Sequence, residues 1–84
     1  MEFKIRKYII CDNGKQFTIG DNIYFTILNS KTNHHDKYIG RIRYIFDYQI
    51  MIDRVEINNG CSDKDYLMID LRDIDKKSCN HVAE

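Results

Sequence analysis

Apolar positions along this chain fall in short runs separated by polar clusters, and no run of ten residues keeps a 3.6-residue period. The pattern predicts strands and no long helix. Residues 3–11 carry two alternating apolar sets, Phe3/Ile5/Ile9 and Tyr8/Ile10, which predict a strand that switches faces near Lys7-Tyr8. Asp12-Asn13-Gly14-Lys15 follows. Asn-Gly between apolar runs signals a hairpin, because both residues tolerate positive φ. Residues 16–19 form the expected return strand, broken by Gly20-Asp21. In residues 23–28, Ile23, Phe25 and Ile27 share one face and Tyr24, Thr26 and Leu28 the other. A strand this apolar on both sides is expected to be covered twice or to meet an interface. The polar stretch 29–37 reads as an exposed, mobile loop.

Residues 38–46 read as a long strand whose period breaks between Ile42 and Ile45, the mark of a bend or bulge. Gly40 inside it implies close approach or sharp curvature. Asp47-Tyr48 is the expected turn into a strand over residues 49–57, with Ile50 and Ile52 inward and a phase switch to Val55 and Ile57. A second polar loop is expected over residues 58–65. Residues 66–71 then alternate cleanly, Leu67, Ile69 and Leu71 inward, Tyr66, Met68 and Asp70 outward. Asp73-Ile74-Asp75 reads as a final turn or short 3₁₀ segment. These elements predict one small all-β domain over residues 1–75, five or six strands curled into a barrel with an added N-terminal hairpin, and a polar, frayed tail over 76–84. Curling is expected because a small open sheet leaves edges and apolar surface exposed.

Composition sharpens this picture in two places. The chain has 84 residues and a hydrophobic fraction of 43%, enough for one modest core and no second domain. Thirteen Lys and Arg balance thirteen Asp and Glu, so a basic field over the whole surface is missing. Residues 1–44 carry eight basic and four acidic groups and residues 45–84 five and nine, a split of +4 against −4 that a barrel would interleave. No stretch reaches membrane-spanning length, and the N-terminus lacks a signal-peptide pattern. A soluble, cytoplasmic protein is expected. Three cysteines, an odd number, fit a reducing compartment and not a disulfide framework.

Phe17-x-Ile19-Gly20-Asp21-x-Ile23 followed by Tyr38-x-Gly40-x-Ile42 resembles the strand-turn pattern of SH3-like small barrels. The resemblance spans most of residues 17–75 and implies architecture alone. Gly40-Arg41-Ile42 with Ile45-Phe46-Asp47 is similar to the start of the first motif of the Sm-like barrels, which bind RNA as rings, and Ile69 and Ile74 have the spacing of two apolar positions of the second. That family's base-contacting Asn would fall near Ile50, and its Arg-Gly on Asp70 and Leu71. None of its RNA-binding residues is carried over.

Chemistry-bearing residues are scattered. Cys79-x-His81, with Cys11, Cys61 and His34-His35 elsewhere, gives one loose ligand pair where a structural zinc site needs two, so no metal is expected. Asp63-x-Asp65 lacks the glycine and distal Glu of a calcium loop. Ser30, Ser62 and Ser78 lack a nucleophile elbow, and no glycine-rich phosphate loop occurs. No catalytic residue, cofactor or small-molecule substrate is expected.

The best binding candidate is the set Lys37, Tyr38, Arg41, Arg43, Tyr44 and Tyr48. With Ile42 inward, Arg41 and Arg43 share an outer face at a spacing of about 6–7 Å, suited to successive phosphates, and a tyrosine could stack a base. The competing reading pairs the arginines with Asp53 and Glu56 on the next strand and leaves the tyrosines capping the core. Two functions follow. One is a non-enzymatic module that docks a protein or a second copy of itself, motivated by the abundant tyrosines and the two-sided apolar strand. The alternative is a nucleic-acid-binding barrel using Arg41 and Arg43.

Overall fold

The computed structural model describes residues 7–82. They form a two-stranded hairpin of β1 (Ile9–Ile10) and β2 (Gln16–Phe17) beside a six-stranded antiparallel sheet. The sheet contains β3 (Asn22–Asn29), β4 (His34–Ile45), β5 (Gln49–Ile57), β6 (Gly60–Cys61), β7 (Tyr66–Asp70) and β8 (Asn80–His81). Its order is β6-β5-β4-β3-β8, with β7 also pairing β5, and hydrogen bonds leave it open. A 3₁₀ turn, Leu71–Asp73, follows β7 and is capped by the Asp70 carboxylate, which accepts from Arg72 N. The chain then reaches the far edge, where Ile74 bridges Ile27 of β3 and Asp75 N donates to Thr26 O at 2.9 Å. The all-β class expected from the pattern is therefore observed.

Several expected boundaries move. The part of residues 3–11 that precedes Lys7 lies outside the described residues. The strand that is described there is only Ile9–Ile10, and its return strand stops at Phe17. The first turn uses Gly14 alone at positive φ (82°): Gly14 N donates to Cys11 O at 2.8 Å, a tight turn closed by one left-handed glycine. The stretch 29–37 is no nine-residue loop. β3 and β4 stay paired to Asn29↔His34, and only residues 30–33 turn. Asn33 at φ 57° closes that turn, with its N–H on Asn29 O, and Asn29 Oδ1 accepts from Lys31 N. Polar side chains cap the strand ends there, and backbone pairing overrides what composition suggests. In the second expected loop, Gly60 and Cys61 form β6 on the end of β5. The expected frayed tail is folded through Val82. β8 pairs β3, and Ser78 Oγ accepts from Thr26 N at 2.9 Å.

The anticipated bend in β4 is a pair of register shifts against β5, one between Ile39 and Arg41 and one between Ile42 and Tyr44. In the first, β5 carries the surplus residue, and Arg54 there adopts φ 52°. In the second, Arg43 is the surplus residue on β4. Gly40 lies inside the first, so tightly packed that an added Cβ would sit 2.9 Å from Ile52 Cβ. The core gathers Phe17, Ile23, Phe25, Ile42, Ile50, Ile52, Val55, Ile69 and Ile74, with Cys11 and Cys79. The switch on β5 from Ile50/Ile52 to Val55 is thus a bulge that keeps one buried face continuous.

Candidate functional site

Antiparallel register sets which side chains share a face, because directly opposed residues project to the same side. On the outer side of β4, β5 and β7 the register builds two rows. Arg41, Asp53 and Tyr66 form one; Tyr44, Met51 and Met68 form the next. Tyr44, Tyr66 and Met68 are exposed, and Met51 is partly so. The Tyr44 ring lies 6.4 Å from that of Phe46, also exposed. Arg43, Met51, Asp53, Asp65 and Tyr66 line a shallow depression of about 250 Å³ on this face.

The structure does not bring the six residues singled out from sequence together. Arg41 and Arg43 converge on one carboxylate. Arg41 donates from Nε to Asp53 Oδ1 at 3.0 Å and from Nη2 to Oδ2 at 2.8 Å; Arg43 Nη1 reaches Oδ2 at 3.1 Å. The hydrogen bond from Arg41 is the largest influence holding the Asp53 carboxyl below its ordinary range, and the charges of both arginines add to it. The two cations thus share an anion on the neighbouring strand, so the +4 and −4 halves interleave here. Tyr44 belongs to the apolar row that runs from β4 across Met51 to Met68 of β7. Tyr38 and Tyr48 point elsewhere. Tyr38 stacks on Phe25 at 5.3 Å on the core side, and burial, then Asp36, pushes its hydroxyl pKa up. Tyr48 lies in the β4–β5 turn under the Arg72 guanidinium, 5.4 Å from the ring centre. Arg72 in turn forks onto Asp70, whose carboxyl it holds down at about 2. Lys37 sits towards the other end of β4, its backbone exchanging hydrogen bonds with Asn58.

Tyr66 and Met68 were legible as outward positions of their strand. What the sequence does not show is that register lays them beside Tyr44 and Met51. β7 is also an edge strand. Among the described residues, only β5 pairs with it, which leaves its other side open. No group of three or more metal-ligating side chains gathers among the described residues, and no helix there is long and apolar enough to cross a membrane. Set against known proteins, the chain matches no family model, no curated protein and no solved structure.

Proposed function

We propose that this chain is a non-enzymatic protein-interaction module whose docking surface is the outer face of β4, β5 and β7, and that its occupant is a second copy adding its own β7 along the open β7 edge. The observation that carries this reading is the exposed row Tyr44–Met51–Met68, which ends on that unpaired edge. Edge strands that avoid pairing usually carry Lys, Pro or a bulge; Tyr66–Asp70 has none of these. Its sequence is self-complementary in an antiparallel pair centred on Met68. Leu67 then faces Ile69 of the second copy, Tyr66 faces Asp70, and no like charges oppose each other. The strand order supports reading the curled sheet as a small SH3-like barrel, since the 3₁₀ turn leads the chain from β7 to a bridge on β3.

Sedimentation velocity over a concentration series from micromolar to submillimolar tests the proposal. The wild-type chain is expected to dimerise. Met68→Lys, which sets two ammonium groups opposite each other, is expected to stay monomeric with an unchanged circular dichroism spectrum. A monomeric wild type, or a dimer that survives Met68→Lys, refutes it.

One observation favours nucleic acid as a second reading: the half-exposed Arg43 shares a surface depression with the exposed Tyr66. It requires low-salt binding of a single-stranded oligonucleotide that is lost in an Arg41→Ala/Arg43→Ala double variant. Unchanged fluorescence anisotropy at low salt excludes it.

A further inference from the structure

Two of the three cysteines, far apart in sequence, meet in the fold. Cys11 immediately follows β1 of the N-terminal hairpin and Cys79 immediately precedes β8. Both are buried, at 7% and 1% exposure, in the same core cluster. Both line one cavity of about 290 Å³, walled also by Ile9, Ile23, Ile45 and Leu71. The Cys11 thiol is close enough to the Cys79 thiol to help push its pKa up. The surrounding backbone is tied at several points. Asn13 Nδ2 donates to Cys79 O at 2.8 Å, and Lys15 Nζ meets Asn80 Oδ1. His81 Nε2 contacts Gln16 O at 2.8 Å, and its ring stacks on Phe17 at 4.2 Å. These contacts hold the hairpin against the β8 segment, with both cysteines on one cavity, before any covalent bond exists. Cys61 is exposed and lies in β6, at the opposite end of a strand order that runs β6-β5-β4-β3-β8, so it does not compete.

We propose that Cys11 and Cys79 are a thiol-oxidation site, which a small-molecule disulfide such as oxidised glutathione converts into an intramolecular disulfide stapling the β1–β2 hairpin to the β8 segment. The exchange balances in two steps. The Cys11 thiolate attacks one sulfur of oxidised glutathione, breaks its S–S bond and expels one glutathione thiolate, leaving a mixed disulfide. The Cys79 thiolate then attacks Cys11 Sγ and expels the second glutathione thiolate. The protein loses two hydrogens and two electrons, and one glutathione disulfide becomes two thiols. Cys11 goes first because it is the less enclosed of the two, next to the exposed Ile10. Burial foremost, and then the Cys11 partner, pushes the Cys79 thiol up to about 12, so its thiolate is scarce near neutral pH and the second step is the slow one, carried by its being intramolecular.

The bridge would close nearly the whole described chain into one loop, the case in which a cross-link most restricts the unfolded state. The experiment treats the full-length chain with oxidised glutathione or with dithiothreitol, then unfolds it and alkylates the remaining thiols. Oxidised protein is expected to show no alkylation at Cys11 or Cys79 and a Cys11–Cys79 peptide in a non-reducing digest, whether or not the exposed Cys61 carries glutathione. Its melting temperature should rise by roughly 10 °C or more over the reduced form. Cys61→Ser should retain the bridge and the shift. Alkylated Cys11 and Cys79 after oxidation, a bridge that includes Cys61, or a stable glutathione adduct on Cys11 or Cys79 overturns the proposal. All of these are read on chains that keep both Cys11 and Cys79.

Discussion

Replacing Gly40 by alanine tests the tightest contact in the sheet. A Cβ at that position would stand 2.9 Å from Ile52 Cβ, 2.9 Å from Ile52 Cδ1 and 3.2 Å from Asp53 O. The Cδ1 contact can be relieved by rotating a side chain. The other two cannot, because Cβ and the carbonyl oxygen move only with the β5 backbone, and Ile52 is fully buried. Overpacking of this kind costs about 2–3 kcal/mol. A chain of 84 residues has a total stability on the order of 4–13 kcal/mol, so the loss is a large share. Urea unfolding reads it as a fall of roughly 2 M in the midpoint, at a slope near 1 kcal/mol/M. Ile52→Val removes Cδ1 and leaves Cβ in place. The cost of Gly40→Ala in that background should fall by only about 1 kcal/mol, a partial coupling. If Gly40→Ala lies within about 0.5 kcal/mol of wild type, the close approach of β4 and β5 at this bulge is refuted. Gly14 offers a contrast. A Cβ there meets nothing within 4 Å, and its φ of +82° alone makes alanine unfavourable.

Two other perturbations have clear directions. Asp53→Asn should cost about 1 kcal/mol near neutral pH, a figure held down because Arg41 and Arg43 keep 28% and 49% of their side-chain surface in solvent. Since the folded state depresses the Asp53 pKa below 3.8, that stabilisation is present above pH 3.8 and is lost as pH falls through the folded value; urea midpoints of wild type and Asp53→Asn should therefore converge in acid, and a gap that stays constant down to strong acid would contradict the pairing. Arg54 occupies φ 52° at the β5 bulge with its side chain exposed, so Arg54→Gly should stabilise the chain by about 0.5–1 kcal/mol and Arg54→Val should destabilise it, both measured by thermal melting.

Much of the candidate site was legible before folding, but in fragments. Alternation in residues 66–71 placed Tyr66 and Met68 outward, and the phase break after Ile42 announced a bulge. Neither could say that the bulge would slide Tyr44 into line with Met51 and Met68. Arg41 and Arg43 illustrate the same limit from the other side. Their spacing on one strand suited phosphates, yet which carboxylate faced them depended on the neighbouring strand's register, and that register brought both to Asp53.

Local patterning by itself determined the all-β class, the inward positions Ile50, Ile52 and Ile69, and the turns at Gly14, Gly20 and Asp47-Tyr48. Each of these depends on side-chain period or backbone freedom within a few residues. Tertiary structure alone decided the long-range events. Polar residues 34–37 joined β4 because β3 already offered them backbone partners, and residues 80–81 joined the sheet because the edge of β3 was open. The meeting of Cys11 with Cys79 belongs with these, since no local pattern relates two residues at opposite ends of a chain until the sheet curls and brings its first hairpin against its last strand.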